Sequence, residues 1–203
     1  MKIFTIVFLL SLALSRMNIL AETNAPCCAK LGEASAISPI TEQSIYQIDS
    51  TFTDDGGKSV KLSSLAGQPV ILTMFFSRCT YACPILANDM KKIETALPAE
   101  LRGKVRFVLV SFDSDRDTPE ALARYRRTRQ IPSDWILLTA SRDDILELAA
   151  LLGVKYKKEA TGQFAHSNLI TLLDPRGEIA FRQTGLNSDG GELTNKIHAV
   201  IVR

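Results

Sequence analysis

From Ser44 onward, short apolar runs alternate with longer stretches whose apolar positions recur at helical spacing. Ile45 to Thr53 alternates as a strand does, Asp54-Asp55-Gly56-Gly57 is a hairpin turn, and Lys58 to Leu62 predicts the returning strand. Ser63 to Gly67 reads as one short helical turn closed by glycine. Val70 to Phe76 is apolar and rich in strand formers, which predicts a buried strand. Ile85 to Ile93 then takes up helical spacing, with Pro84 where a first turn accepts one and Pro98 as the stop. Val105 to Phe112 is the next strand. The loop after it, Asp113 to Glu120, carries Asp117 and Glu120 three apart, the spacing of a capping box, ahead of a helix over Ala121 to Gln130.

Trp135 to Thr139 predicts a short strand, and Asp143 to Leu152 a helix closed by Gly153. Glu159 to Ser167 reads as a loop. Ser167 to Leu173 and Glu178 to Gln183 predict two strands around the turn Asp174-Pro175-Arg176-Gly177, and Gly190 to Val202 a last helix. Strands that alternate with helices and end in a hairpin build an α/β domain: a mixed sheet covered by helices on both faces, with an N-terminal β-hairpin. That arrangement is thioredoxin-like.

Composition narrows the function classes. The chain has 203 residues, 46% hydrophobic and 23% charged, enough for one domain with a substantial core. A net charge of +2 is too small for a nucleic-acid binder. The run Arg124-Tyr125-Arg126-Arg127-Thr128-Arg129 is instead expected to form a solvated helix face, with docking of an acidic partner as the sharper alternative.

The N-terminus, residues 1–21, reads as an export segment. Lys2 supplies the positive charge, Ile3 to Leu14 is almost wholly apolar, and Ile19-Leu20-Ala21 offers a cleavage site. A dozen or so apolar residues fall short of the roughly 20 that span a bilayer, so a cleaved signal peptide is favoured over a retained membrane anchor. Either places the rest of the chain outside the cytoplasm, in the periplasm or on the outer face of the cytoplasmic membrane, where thiols meet oxidising conditions. Residues 22–43 read as a flexible linker and 44–203 as the folded domain. The linker carries Cys27-Cys28, too close in sequence to bridge each other readily. They read as incidental or cross-linking thiols, or as an auxiliary soft-metal site; lipid attachment at Cys27 is poorly supported by Asn24-Ala25-Pro26.

The chemistry concentrates at Cys79 and Cys83. Both fall in the turn between the buried strand and its helix, beside the free N–H groups of a helix start, which favour negative charge and lower a thiol's pKa. Arg78 pushes the same way. Four positions separate the two sulfur-bearing residues. His166 is the second element, and most lone loop histidines are solvated or bonded locally. His198 falls in the last helix and reads as structural or exposed. Three functions are open to the cysteine pair: metal binding, reversible dithiol–disulfide exchange with a partner, or a structural bridge. The turn position disfavours the last, since structural bridges tie distant segments. A peroxidase of the same fold would also need a peroxide-reactive cysteine.

These residues also carry a family resemblance. Val60 to Gly67, Cys79 with Cys83-Pro84, Ser111-Phe112-Asp113, Asp117 to Glu120, His166-Ser167 and Leu172 to Gly177 resemble the Sco/SenC family, in order and from about Ser44 to the C-terminus. Thioredoxins proper place two residues between their cysteines; here there are three. Within the motif this chain has Thr80-Tyr81-Ala82 where the family usually has Pro and Asp, Ala165 where an Asp is common and Ser114 where a Pro is common. The resemblance implies an exported or membrane-anchored copper-binding protein that supplies the dinuclear copper centre of cytochrome c oxidase, on subunit II, or keeps its cysteines reduced. It implies copper, as Cu(I) or Cu(II), held by Cys79, Cys83 and His166. Two thiolates and an imidazole suit Cu(I), and three ligands leave a site open to exchange. Asp113 and Asp117 read as loop and cap residues. A periplasmic thiol-disulfide oxidoreductase using Cys79 and Cys83 is the alternative.

Overall fold

The computed structural model describes residues 40–201; the expected export segment and Cys27-Cys28 lie outside them. Seven strands form the main sheet, in the order β2 (Ser59–Lys61), β1 (Thr51–Asp54), β5 (Ile136–Ala140), β4 (Arg106–Ser111), β3 (Val70–Phe75), β8 (Leu169–Leu173) and β9 (Ile179–Thr184). At its centre β3 and β4 run parallel, with β5 parallel to β4 on the outer side. These strands are buried on both faces because helical crossovers join them: α1 (Ala82–Ala96) links β3 to β4, and α2 (Pro119–Arg129) links β4 to β5. Every residue of β3 is buried, as its unbroken apolar run requires.

Antiparallel strands complete both edges. On one side β1 pairs with β5 and with β2, which is the predicted N-terminal hairpin. On the other, β8 pairs with β3 and with β9. Strand β9 shows which faces the helices cover, because neighbouring side chains point to opposite faces. Phe181 packs beneath Lys196 of α4 (Gly191–Ile201), with Nζ 5.7 Å from the ring centre. Arg182 donates across the other face to the Leu152 carbonyl, 3.0 Å away, at the end of α3 (Arg142–Leu152). With α1 packed beside α4, the sheet is covered on both faces. No helix among the described residues is long and apolar enough to cross a membrane.

Two expected element assignments fail, each for a physical reason. Ile45 to Thr53 is not one strand: Ile45–Gln47 is a 3-10 turn, and β1 starts at Thr51. Ile45 and Tyr46 are both buried, and a strand on one sheet face cannot bury two successive side chains on that face. The Ser44 hydroxyl caps the turn by accepting from the Tyr46 N–H at 3.1 Å. The predicted loop at Glu159 to Ser167 is the second failure. Phe164–His166 is a strand, β7, paired antiparallel with β6 (Tyr156–Lys158) in a separate hairpin whose turn has Gly162 at φ +78°. Three-residue strands are too short to show alternation, and aromatic packing rather than propensity holds this hairpin in place.

Candidate metal centre

The chain leaves β3 at Phe75 and turns sharply before α1. The Cys79 N–H donates to the Phe76 carbonyl at 3.1 Å, which folds the loop back on the strand. Helix α1 then begins with no side-chain cap from Tyr81; instead the Cys83 N–H donates to Cys79 Sγ at 3.2 Å. The sulfur thus occupies the place of an N-cap oxygen, where free amide protons favour negative charge. Both cysteines are buried and unbridged.

That position splits the two thiols. The Cys83 thiol donating to Cys79 is the largest influence on Cys79. With His166 and the N–H groups of Cys83 and Tyr81, it outweighs burial and lowers the Cys79 pKa to about 3. Cys83 is pushed up, first by that same bond and then by burial. Arg78 is exposed, and the larger influences on Cys79 are Cys83, His166 and the helix-start N–H groups rather than Arg78 as expected.

His166 reaches this pair from β7, and it is the hairpin that brings it there. Its Nδ1 lies 3.0 Å from the Ser167 carbonyl and must donate, since a carbonyl only accepts. Nε2 is left to face the sulfurs, 3.7 Å from Cys83 Sγ. Burial alone lowers the ring's pKa, but the bonds to Cys79 and the Ser167 carbonyl more than offset this, so the net shift is upward. The ring rests 5.2 Å from Phe112 and edge-on to Phe76 at 6.1 Å. Phe112 in turn stacks on Tyr156 at 5.0 Å and meets Phe164 edge-on at 5.1 Å, so one aromatic cluster docks the hairpin on the end of β4.

The three candidate ligand atoms lie within 4.8 Å of one another. A three-coordinate ion with bonds of about 2.2 Å sets its donors roughly 3.8 Å apart, so small side-chain adjustments would close the set. Two soft sulfurs and one imidazole favour a soft or borderline ion and leave a position free for exchange.

Two aspartates lie beside this centre at the end of β4, and the capping role expected of Asp117 fails. Thr118, not Asp117, caps α2, its hydroxyl accepting from the Ala121 N–H at 3.3 Å. Asp117 is buried and accepts from the Ser77 N–H at 2.8 Å, from the Ser77 hydroxyl and from the Ser111 hydroxyl. It ties the loop before Cys79 to the end of β4. Asp113 is buried too, with neither carboxylate oxygen hydrogen-bonded. In the sequence both look like ordinary turn residues; only the fold reveals their burial. His198 is exposed on α4, as expected.

Comparison with known proteins agrees with the fold. The family described as SCO1/SenC matches residues 39–202. A SCO1 protein homolog of Bacillus subtilis (strain 168) is 28% identical over 148 residues, covering 70% of this chain and 76% of that protein. The crystal structure of a SCO1/SenC family lipoprotein from Bacillus anthracis is 26% identical, with a TM-score of 0.68 over 74% of this chain and 92% of that one. Bradyrhizobium japonicum ScoI, solved with copper bound, shares the fold at 22% identity, with a TM-score of 0.64 over 74% of this chain and 96% of its own.

Proposed function

This chain belongs to the SCO1/SenC family, and from that premise we propose that it is an exported copper(I) carrier. Copper is its cargo, held by Cys79, Cys83 and His166. The destination in this reading is the dinuclear copper centre of cytochrome c oxidase, to which the protein either hands the ion or keeps the receiving cysteines reduced. Two sources support it: the family, and solved relatives such as the copper-bound ScoI of Bradyrhizobium japonicum. The apolar N-terminus supports a location in the periplasm or on the outer face of the cytoplasmic membrane, as a secreted or tethered protein.

The single observation that carries the reading is the His166 ring beside the two sulfurs, since dithiol chemistry alone does not need it. A buried thiolate with two further donors in reach binds a soft ion strongly yet leaves a side open for a partner's ligand to displace one of its own. The test is competition of the reduced full-length chain against a chromophoric Cu(I) chelator. One equivalent is expected to bind, and His166→Ala to weaken it by about tenfold or more.

A second reading rests on the divided thiols. Cys79 is a thiolate at neutral pH, and Cys83 keeps its proton. Such a pair suits exchange: the Cys79 thiolate attacks a partner disulfide, expelling one partner thiolate, which takes up a proton. Cys83 then loses its proton, attacks Cys79 and releases the second. Unchanged Cu(I) affinity in His166→Ala, with disulfide exchange intact, would favour this oxidoreductase over the carrier.

A further inference from the structure

Beside the loop that carries Cys79, the outer face of α2 forms one wall of a groove. Arg78, Arg116, Arg124 and Arg129 line it together with Ser77 and Tyr125, around a cavity of about 270 Å³. Past Tyr125 and Arg129 it continues into a second recess of about 250 Å³ that reaches Lys91 on α1. No carboxylate lines either part. Arg116 is partly engaged, 3.9 Å from Asp113 and 3.1 Å from the Gly162 carbonyl. Arg78, Arg124 and Arg129 are exposed and form no ion pair among the described residues.

The nearby acids leave these three arginines unpaired. Asp117 is taken by Ser77 and Ser111, and Glu120, one turn before Arg124, forms no ion pair with it among the described residues. Arg126, in the same basic run, points away and forks onto Asp55 with contacts of 2.6 and 2.9 Å. Arg78, Arg124 and Arg129 therefore present an unpaired cationic surface and not one side of an internal network.

Tyr125 adds an independent sign that the groove is made to be filled. The residue is 5% exposed, its ring packs 4.9 Å from Phe75, and it borders both recesses. Yet its hydroxyl has no hydrogen-bond partner. Buried hydroxyls are nearly always paired, and an acceptor entering the groove would pair this one. Phe75 is also the residue from which the Cys79 loop departs, so an occupant here lies beside the thiols. On that loop, Tyr81 stands 72% exposed, a side chain suited to anchoring a partner.

We infer that this groove docks an acidic segment of the partner protein, with Asp or Glu carboxylates bonding Arg78, Arg124 and Arg129 and one of them accepting from the Tyr125 hydroxyl. The inference rests on the carrier reading for why a partner comes to the thiols; the groove itself does not. Bidentate arginine–carboxylate contacts would orient the partner, and the cationic field would speed encounter.

The test uses the reduced full-length chain and a fluorescein-labelled hexaglutamate peptide, followed by anisotropy at low and at physiological salt. Binding is expected to weaken as salt rises, to fall about tenfold or more in Arg124→Glu/Arg129→Glu, and to fall several-fold in Tyr125→Phe. Lys58→Glu/Lys104→Glu, two exposed residues that line neither recess and lie outside the His166 hairpin, should leave it unchanged. Undetectable binding at millimolar protein, equal binding by the Arg124/Arg129 variant, or an equal loss from the lysine variant would each overturn the inference. So would inorganic tripolyphosphate binding more tightly than the peptide, which would mark a phosphate site. Cu(I) affinity should be the same in every variant; its absence in the wild type would remove the carrier reading and leave the peptide result to stand separately.

Discussion

Asp117 accepts hydrogen bonds from both the backbone N–H and the hydroxyl of Ser77, two residues before Cys79. Through the Ser111 hydroxyl the same carboxylate also grips the end of β4. It is buried, so the carboxylate and its donors satisfy one another's hydrogen bonds. Asp117→Ala would leave the half-buried Ser77 N–H and the hydroxyls of Ser77 and Ser111 without their acceptor. Chemical denaturation should show a loss of about 2–4 kcal/mol. Because the Cys79 loop would be freed, Cu(I) affinity should fall as well, while Asp117→Asn keeps part of both. Full stability in the alanine variant would mean the carboxylate is not the tie described.

The hairpin β6–β7 makes a related prediction for His166. Phe164 meets Phe112 at 5.1 Å and Phe76 at 5.1 Å, and these contacts set where the ring of His166 rests. Phe164→Ala removes them without touching a ligand atom. Cu(I) affinity is expected to drop about tenfold, the scale seen when support behind a metal ligand is lost. Disulfide formation between Cys79 and Cys83 should proceed as before. If both properties fell together, the hairpin would be supporting the whole loop and not only the imidazole.

The two halves of this centre differ in how readily the sequence betrays them. Val70 to Phe76 is a long apolar run, and the cysteine turn follows it directly, so strand, turn and helix can all be read locally. His166 depends on packing between residues far apart: Tyr156, Phe164 and Phe112 come together only once β4 and the hairpin are in place. No local periodicity encodes that. Asp117 misleads for the opposite reason. An acid just before Thr118-Pro119 has the look of a cap, and the competition was decided by Thr118, whose hydroxyl reaches the helix N–H and frees the aspartate to turn inward.

A thiolate at Cys79 should be visible directly. Its pKa lies near 3, chiefly because the Cys83 thiol donates to it, so it carries charge throughout the ordinary pH range. Absorbance at about 240 nm, followed from alkaline to acid pH on the reduced chain, should show one thiolate persisting well below the usual thiol value of about 8.5. Cys83→Ala removes the main donor and should move that titration upward. A titration near the ordinary value in the unaltered chain would contradict the bonded arrangement of the two sulfurs.

Gly177 is a stability test remote from the chemistry. It ends the Asp174 turn at φ +83°, and its N-terminal neighbours in space are Tyr46 and Ser44. An added Cβ would overlap the Tyr46 ring and come within 2.7 Å of the Ser44 hydroxyl oxygen. Gly177→Ala therefore combines a left-handed backbone with a clash in the core. A loss of about 2–4 kcal/mol is expected in denaturant, whereas Gly57→Ala, with φ +82° but open space around it, should cost about 1.

Asp113 is buried, and neither of its oxygens is hydrogen-bonded, with Arg116 only at 3.9 Å. Burial raises its pKa, and the charge of Asp117 adds to the rise. The folded chain therefore holds this proton more tightly than the unfolded chain, whose aspartates titrate near pH 3.9. Across the window from there up to the raised folded value, stability falls as pH increases; above that value the full penalty of an ill-paired buried carboxylate is present. Asp113→Asn removes the charge while keeping the shape, and can both donate and accept. The variant should be more stable than the parent at pH 7 by about 1–3 kcal/mol, the cost of leaving such a group unsatisfied. As pH falls toward 4 the advantage should shrink, because the parent then takes up its own proton. Denaturation at the two pH values decides the matter: an asparagine variant weaker than the parent at pH 7 would mean that the Asp113 charge is held by Arg116 more firmly than 3.9 Å suggests.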